Sequence, residues 1–127
     1  MATSSRLRVL VAGGDDHATA ALCRRLASWP TIEVVGWARS TQQARSLVEA
    51  LAADVVVMDV EAPAFEAPEA IRSVEMTPGT PILLVLSSKD TPNARIASFG
   101  AGADGFVTKC DPDAKLRALF ATIRPGG

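Results

Sequence analysis

At three places in this sequence polar side chains stand directly behind runs of strand-forming residues. Asp59 follows Val55-Val56-Val57-Met58, Ser87 and Ser88 follow Ile82-Leu83-Leu84-Val85-Leu86, and Lys109 follows Phe106-Val107-Thr108. Taken alone, each has an ordinary reading: a solvated carboxylate, a turn-forming hydroxyl, a surface lysine. Taken together, their types are complementary. A carboxylate, a hydroxyl donor and an ammonium brought to one spot suit the handling of a phosphoryl group. In that chemistry Asp59 is the nucleophile, and Ser87 and Lys109 bind phosphoryl oxygens.

Such a site needs the three residues at neighbouring strand ends, and the periodicity supplies the strands. Leu7 to Ala12 reads as a buried strand ended by Gly13-Gly14, and Ile32 to Trp37 as a second. Val55 to Met58 and Ile82 to Leu86 are apolar on consecutive residues, as strands covered on both faces must be, and Asp104 to Thr108 is a short fifth. Helical spacing of Ala18, Leu22, Leu26 and Trp29 predicts a helix from about Asp16 to Trp29, stopped by Pro30. Ser40 or Thr41 caps a second helix carrying Ala44, Leu47, Val48 and Leu51. A Pro-rich loop around Pro63 leads to a third near Pro68 to Met76, and Thr91-Pro92 opens a fourth that ends in the Gly100 to Gly102 region. Asp111-Pro112 caps the last, whose core stripe is Leu116, Leu119, Phe120 and Ile123.

This alternation predicts an α/β fold, a doubly wound five-stranded parallel sheet between helical layers, with right-handed crossovers. Chemistry in such sheets gathers at the carboxyl ends of the strands, near the point where strand order reverses. The residues to inspect are therefore Gly13 to Asp16, Asp59, Ser87-Ser88 and Lys109.

Composition narrows the function classes. A chain of 127 residues, 48% apolar and 21% charged, is sized for a single domain spanning 1–127 and is composed like a globular one. Thirteen basic and fourteen acidic residues give a net charge of -1, which leaves no electrostatic footprint for nucleic acid or anionic lipid. The N-terminal region offers only Val9 to Ala12 as an unbroken apolar run, too short for a membrane span or a signal-peptide core. Cys23 and Cys110 read as free thiols in a reducing compartment. The expectation is a cytoplasmic domain with no direct contact to nucleic acid or membrane.

The strand-end segments resemble those of one family. Val55 to Pro63 looks like the acceptor strand and Pro-containing loop of the receiver domains of bacterial response regulators. Leu84-Val85-Leu86-Ser87-Ser88 resembles that family's hydroxyl-bearing fourth strand. Ala101-Gly102-Ala103-Asp104-Gly105-Phe106-Val107-Thr108-Lys109 is similar to its Ala-Gly-Ala-x-Gly-aromatic-x-x-Lys signature. Ile32-Glu33-Val34-Val35-Gly36 looks like the second strand of the subgroup that often precedes a helix-turn-helix DNA-binding domain.

The resemblance implies a flavodoxin-like receiver fold with strand order 2-1-3-4-5. It implies Asp59 as phosphoacceptor, Ser87, Ser88 and Lys109 around the phosphate, and Ser87 with Phe106 as the switch. Two blander roles stay open: Ser88 as a small residue that leaves room for the phosphoryl group, and Phe106 as plain core. Mg²⁺ would be held by Asp59 and the backbone carbonyl of Glu61. The implied partners are a histidine kinase or phosphotransfer protein and a downstream effector protein or domain. The domain itself would be no enzyme, and a monomer or weak homodimer. A phosphoryl charge of about −1.5 to −2, by analogy with phosphoserine, would bias a face formed by the fourth and fifth strands and their helices.

One segment departs from the family. Its first strand normally runs straight into two acidic residues that hold the magnesium, whereas here it runs into Gly13-Gly14 and the acids Asp15-Asp16 come two positions late. Either the loop has gained two residues and Asp15 and Asp16 are metal ligands, or Gly13-Gly14 occupy the ligand positions. In the second case Asp16 is an N-cap and Asp15 a first-turn charge. The gap-free match through Trp29-Pro30 to Gly36 and on to Asp59 supports the second, and it leaves a weak metal site. Asp59 would then face Lys109 in a direct ion pair, unless the pliable glycines let Asp15 swing toward it.

Two classes follow: a phosphorylation switch, or a degenerate receiver acting as a phosphorylation-independent interaction module. Other motifs fail on context. Gly13-Gly14-Asp15-Asp16 lacks the long preceding sequence of a Gly-Gly-(Asp/Glu)-Glu-Phe cyclic-dinucleotide synthase. Asp15-x-His17 has Ala20 where a cobalamin motif needs glycine, and no Cys/His cluster has zinc spacing.

Overall fold

Runs of consecutive apolar residues on the central strands have a direct structural cause: side chains alternate between two covered faces. The structure, a computed structural model, describes residues 6–14, 16–60, 68–79, 81–89, 91–108 and 112–123. In chain order the elements are β1 (Leu7–Ala12), α1 (Asp16–Ala27), β2 (Ile32–Ala38), α2 (Thr41–Leu51), β3 (Val55–Asp59), α3 (Pro68–Glu75), β4 (Ile82–Ser87), α4 (Pro92–Gly100), β5 (Gly105–Thr108) and α5 (Pro112–Ala121). The five strands form one sheet in the order β2-β1-β3-β4-β5, and each neighbouring pair is parallel. Strand order reverses between β1 and β3, and this sets the carboxyl edge where a site belongs.

Alternation sorts the core into two clusters. Leu10, Ala12, Val56, Met58, Leu83, Val85 and Phe106 pack toward Ala44 and Val48 of α2 and Ile71 and Val74 of α3. Val9, Val11, Val55, Val57, Leu84, Leu86 and Val107 pack toward Leu22 and Leu26 of α1 and Leu116 and Phe120 of α5. Swapping an apolar strand residue for a charged one would therefore bury charge on whichever face it pointed to.

Caps and tethers fix the ends. The Ser40 hydroxyl accepts from the Gln43 N–H at 3.1 Å, and the Gln43 side-chain oxygen accepts from the Arg39 N–H at 2.7 Å. The Thr91 hydroxyl accepts from the Ala94 N–H at 3.1 Å, with Pro92 opening α4. At the amino edge, Asp54 accepts from the Arg8 N–H and Asp104 from the Leu83 N–H, each at 2.9 Å. These two carboxylates are structural ties, at the edge opposite Asp59.

Three expectations shift. α1 stops at Ala27, and Trp29 lies beyond it in the turn, where its ring meets Phe120 edge-on at 6.1 Å. On the same helix Ala18 is exposed while Thr19 is buried, so the inward stripe is Thr19, Leu22, Cys23 and Leu26. β5 begins at Gly105, because Asp104 is spent on the tie to β4.

Candidate phosphoryl-acceptor site

Asp59 is the last residue of β3, half-buried at the carboxyl edge and paired in register with Leu86. The next N–H, that of Val60, donates to the Leu86 carbonyl at 3.2 Å and holds the strand end against β4. By alternation Asp59 shares the face of Val55 and Val57, toward α1. There it borders a cavity of about 140 Å³ whose walls include Val11, Ala18, Thr19, Leu22, Arg25 and Leu86. Thr19, Arg25 and Asp59 are the polar residues of an otherwise apolar lining.

Ser87, one residue beyond Leu86, is buried at 4% exposure on the opposite face, that of Leu83 and Val85. Its hydroxyl accepts from the Lys89 N–H at 3.0 Å, an anchor that turns the chain out of β4. Ser88 is exposed beside it. Phe106 lies on the same face as Ser87, lodged in the core at 6% exposure. The Arg95 guanidinium of α4 sits 5.0 Å from its ring centroid. Phe106 thus couples β5 to α4 through core packing and the Arg95 contact.

The β1 end is built differently. Gly13 continues β1 beside the Asp59 strand end, and a Cβ placed on it would lie 3.7 Å from the Asp59 Cβ. Gly13 therefore takes the place of a residue that would flank Asp59, and Asp16 begins α1. This puts Gly13, and not an acid, at the position beside Asp59. Gly13 is also held from both sides by β2: its N–H donates to the Ala38 carbonyl at 3.0 Å, and its carbonyl accepts from the Trp37 indole N–H at 2.8 Å. The Arg39 guanidinium covers the Trp37 ring at 4.3 Å. This clamp restrains Gly13, one of the two glycines on which an inward swing of Asp15 depends, and Asp15 itself lies outside the described residues.

The described donors fit Mg²⁺ poorly. Gly13 brings no carboxylate beside Asp59, and among the described residues no group of three or more His, Cys, Asp or Glu could hold a metal. Asp15, Glu61, Lys109, Cys110, Asp111 and the Pro63 loop lie outside the described residues, and with them the expected Asp59–Lys109 pair. Cys23, a free thiol packed against the α1 side of the core, has its pKa pushed up by burial, against a smaller opposing pull from Arg24.

Residues 9–121 match the family model described as the response regulator receiver domain. The chain belongs to the response regulator receiver family. Among curated relatives, the protein-glutamate methylesterase/protein-glutamine glutaminase of Halalkalibacterium halodurans is 32% identical over 106 residues, covering 83% of this receiver and 31% of that protein. Response regulator MprA of Mycolicibacterium vanbaalenii is 31% identical over 123 residues, 94% of this chain and 52% of the relative. The receiver thus spans between about a third and a half of the length of these two relatives. Among solved structures, a LuxR-family two-component response regulator from Aurantimonas sp. SI85-9A1 superposes with a TM-score of 0.82 at 27% identity, covering 92% of this chain and 84% of that one. The response regulator domain of Thermotoga maritima CheB gives 0.73 at 27% identity, covering 82% and 78%. Receivers of this family are typically signal transducers rather than enzymes. They work with histidine kinases and effector domains. No helix among the described residues of this receiver is long and apolar enough to cross a membrane.

Two residues of the site escape a sequence reading. Thr19 is polar and invites placement outside, yet with Leu22, Cys23 and Leu26 it completes an i, i+3, i+4, i+7 stripe that could have flagged it. Trp37 reads as one more apolar strand residue; its hydrogen bond back to Gly13 leaves no trace in the pattern.

Proposed function

We propose that this single receiver domain accepts a phosphoryl group on Asp59 from a histidine kinase or phosphotransfer protein and passes the change to an effector. A carboxylate oxygen of Asp59 attacks phosphorus, the bond to the donor's histidine nitrogen breaks, and its electron pair returns to the imidazole. Lys109 binds the phosphoryl oxygens, Ser88 leaves them room, and Ser87, one residue past the register partner of Asp59, reaches them over the strand ends. Ser87 and Phe106, on one face, carry the signal to β5 and α4. The observation behind this reading is Asp59 itself: a half-buried carboxylate closing the central strand, in register with the strand that ends in Ser87. Treatment with a small phosphodonor such as acetyl phosphate should add one phosphoryl group, located on Asp59 by mass spectrometry and absent from Asp59→Asn. Equal labelling of that variant would sink the assignment.

A second reading, a degenerate receiver that binds partners without phosphorylation, is favoured by the clamped Gly13 and the poor fit to Mg²⁺. An effector that binds the native domain and Asp59→Asn equally well would select it.

A further inference from the structure

The space an acidic side chain would need at position 13 is already filled, and from α1. A Cβ built on Gly13 would approach the Thr19 Oγ1 at 2.6 Å and the Thr19 Cγ2 at 3.6 Å. No real Cβ tolerates the first distance. Thr19 is buried at 3% exposure and lines the same small cavity as Asp59, so a side chain added at position 13 must push the Thr19 hydroxyl into the cavity beside Asp59. The Gly13 backbone cannot retreat easily either, held by Ala38 on one side and Trp37 on the other. Gly13 does not adopt a positive φ. What makes glycine necessary here is room rather than backbone conformation.

We infer that Thr19 and Gly13 form one steric unit, and that Thr19 shuts the pocket beside Asp59 to the acidic side chain a divalent cation would need at position 13. Restoring acids without removing Thr19 rebuilds no metal site. The inference concerns metal exclusion alone, and it deepens the receiver reading without requiring that Asp59 be phosphorylated.

The first test is a thermal-melting cycle with Gly13→Ala, the smallest added Cβ, made in the native protein and with Thr19→Ala. Gly13→Ala should lower the melting temperature by at least about 3 °C in the native protein and by much less alongside Thr19→Ala. An equal loss in both settings overturns the inference. The second test titrates MgCl₂ by calorimetry into Gly13→Asp/Gly14→Asp, with and without Thr19→Ala. The triple variant should bind Mg²⁺ at least about tenfold more tightly, a difference near 1.4 kcal/mol. Equal binding by the two overturns it. If the Gly13→Asp/Gly14→Asp variant fails to fold and the triple variant folds, the steric unit is supported directly. If neither folds, the alanine cycle decides. None of these readouts involves phosphorylation, so they stand or fall separately from the assignment of Asp59.

Discussion

The two halves of the carboxyl edge have been built to opposite ends. Around β1 the chain is shut: Gly13 is clamped by Ala38 and Trp37 and backed by the buried Thr19. Around β4 and β5 it keeps a working set of parts: Ser87 at a strand end, Phe106 beneath Arg95, and α4 with Ile96 at 69% exposure and Phe99 also exposed. The first half is where a receiver holds its metal, and the second is where it reads the phosphoryl group and answers. The difference teaches that one sheet edge can be closed by packing at one strand end and keep polar and exposed apolar residues at the next.

Mutations sharpen this contrast. The largest effect belongs to Phe106→Ala, which removes a ring from the core and should destabilise the domain by about 3 kcal/mol or more in denaturant unfolding. A loss below about 1 kcal/mol would show that the ring is poorly packed, and would break the picture of β5 coupled to α4 through it. Next comes Trp37→Phe at the closed end. It deletes the hydrogen bond to the Gly13 carbonyl and should cost about 1 kcal/mol, with faster hydrogen exchange of the Gly13 amide. Unchanged exchange would mean that the Ala38 bond alone holds the loop. The smallest effect is that of Arg95→Ala, about 0.5–1 kcal/mol for the guanidinium over the Phe106 ring. If Arg95→Ala proved as damaging as Phe106→Ala, α4 would be anchored by that arginine and not by the packed aromatic.

The sheet was legible in the sequence because its signal is redundant. Val55 to Met58 and Ile82 to Leu86 are apolar on every residue, which only a strand buried on both faces demands, and the order of the five strands came with the family resemblance. Asp59 and Ser87 were legible as polar residues terminating such runs. Thr19 was hidden because a hydroxyl in a helix is ordinarily read as solvent-facing, although its stripe with Leu22, Cys23 and Leu26 turns it inward, against a glycine with no Cβ. The reach of Trp37 to Gly13 was hidden for another reason: a hydrogen bond between residues 24 apart in the chain depends on the β1–β2 register, which periodicity does not encode. Gly13 beside Asp59 favours the alignment in which glycines stand at the ligand positions, while Asp15 lies outside the described residues.

Asp59 is proposed to accept a phosphoryl group in a pocket that takes little help from a divalent cation. This is tested most directly by the rate at which acetyl phosphate labels Asp59, measured with and without MgCl₂. Slow labelling that changes little when MgCl₂ is added is the result predicted. Labelling strongly accelerated by MgCl₂, or no label on Asp59 under either condition, would contradict it.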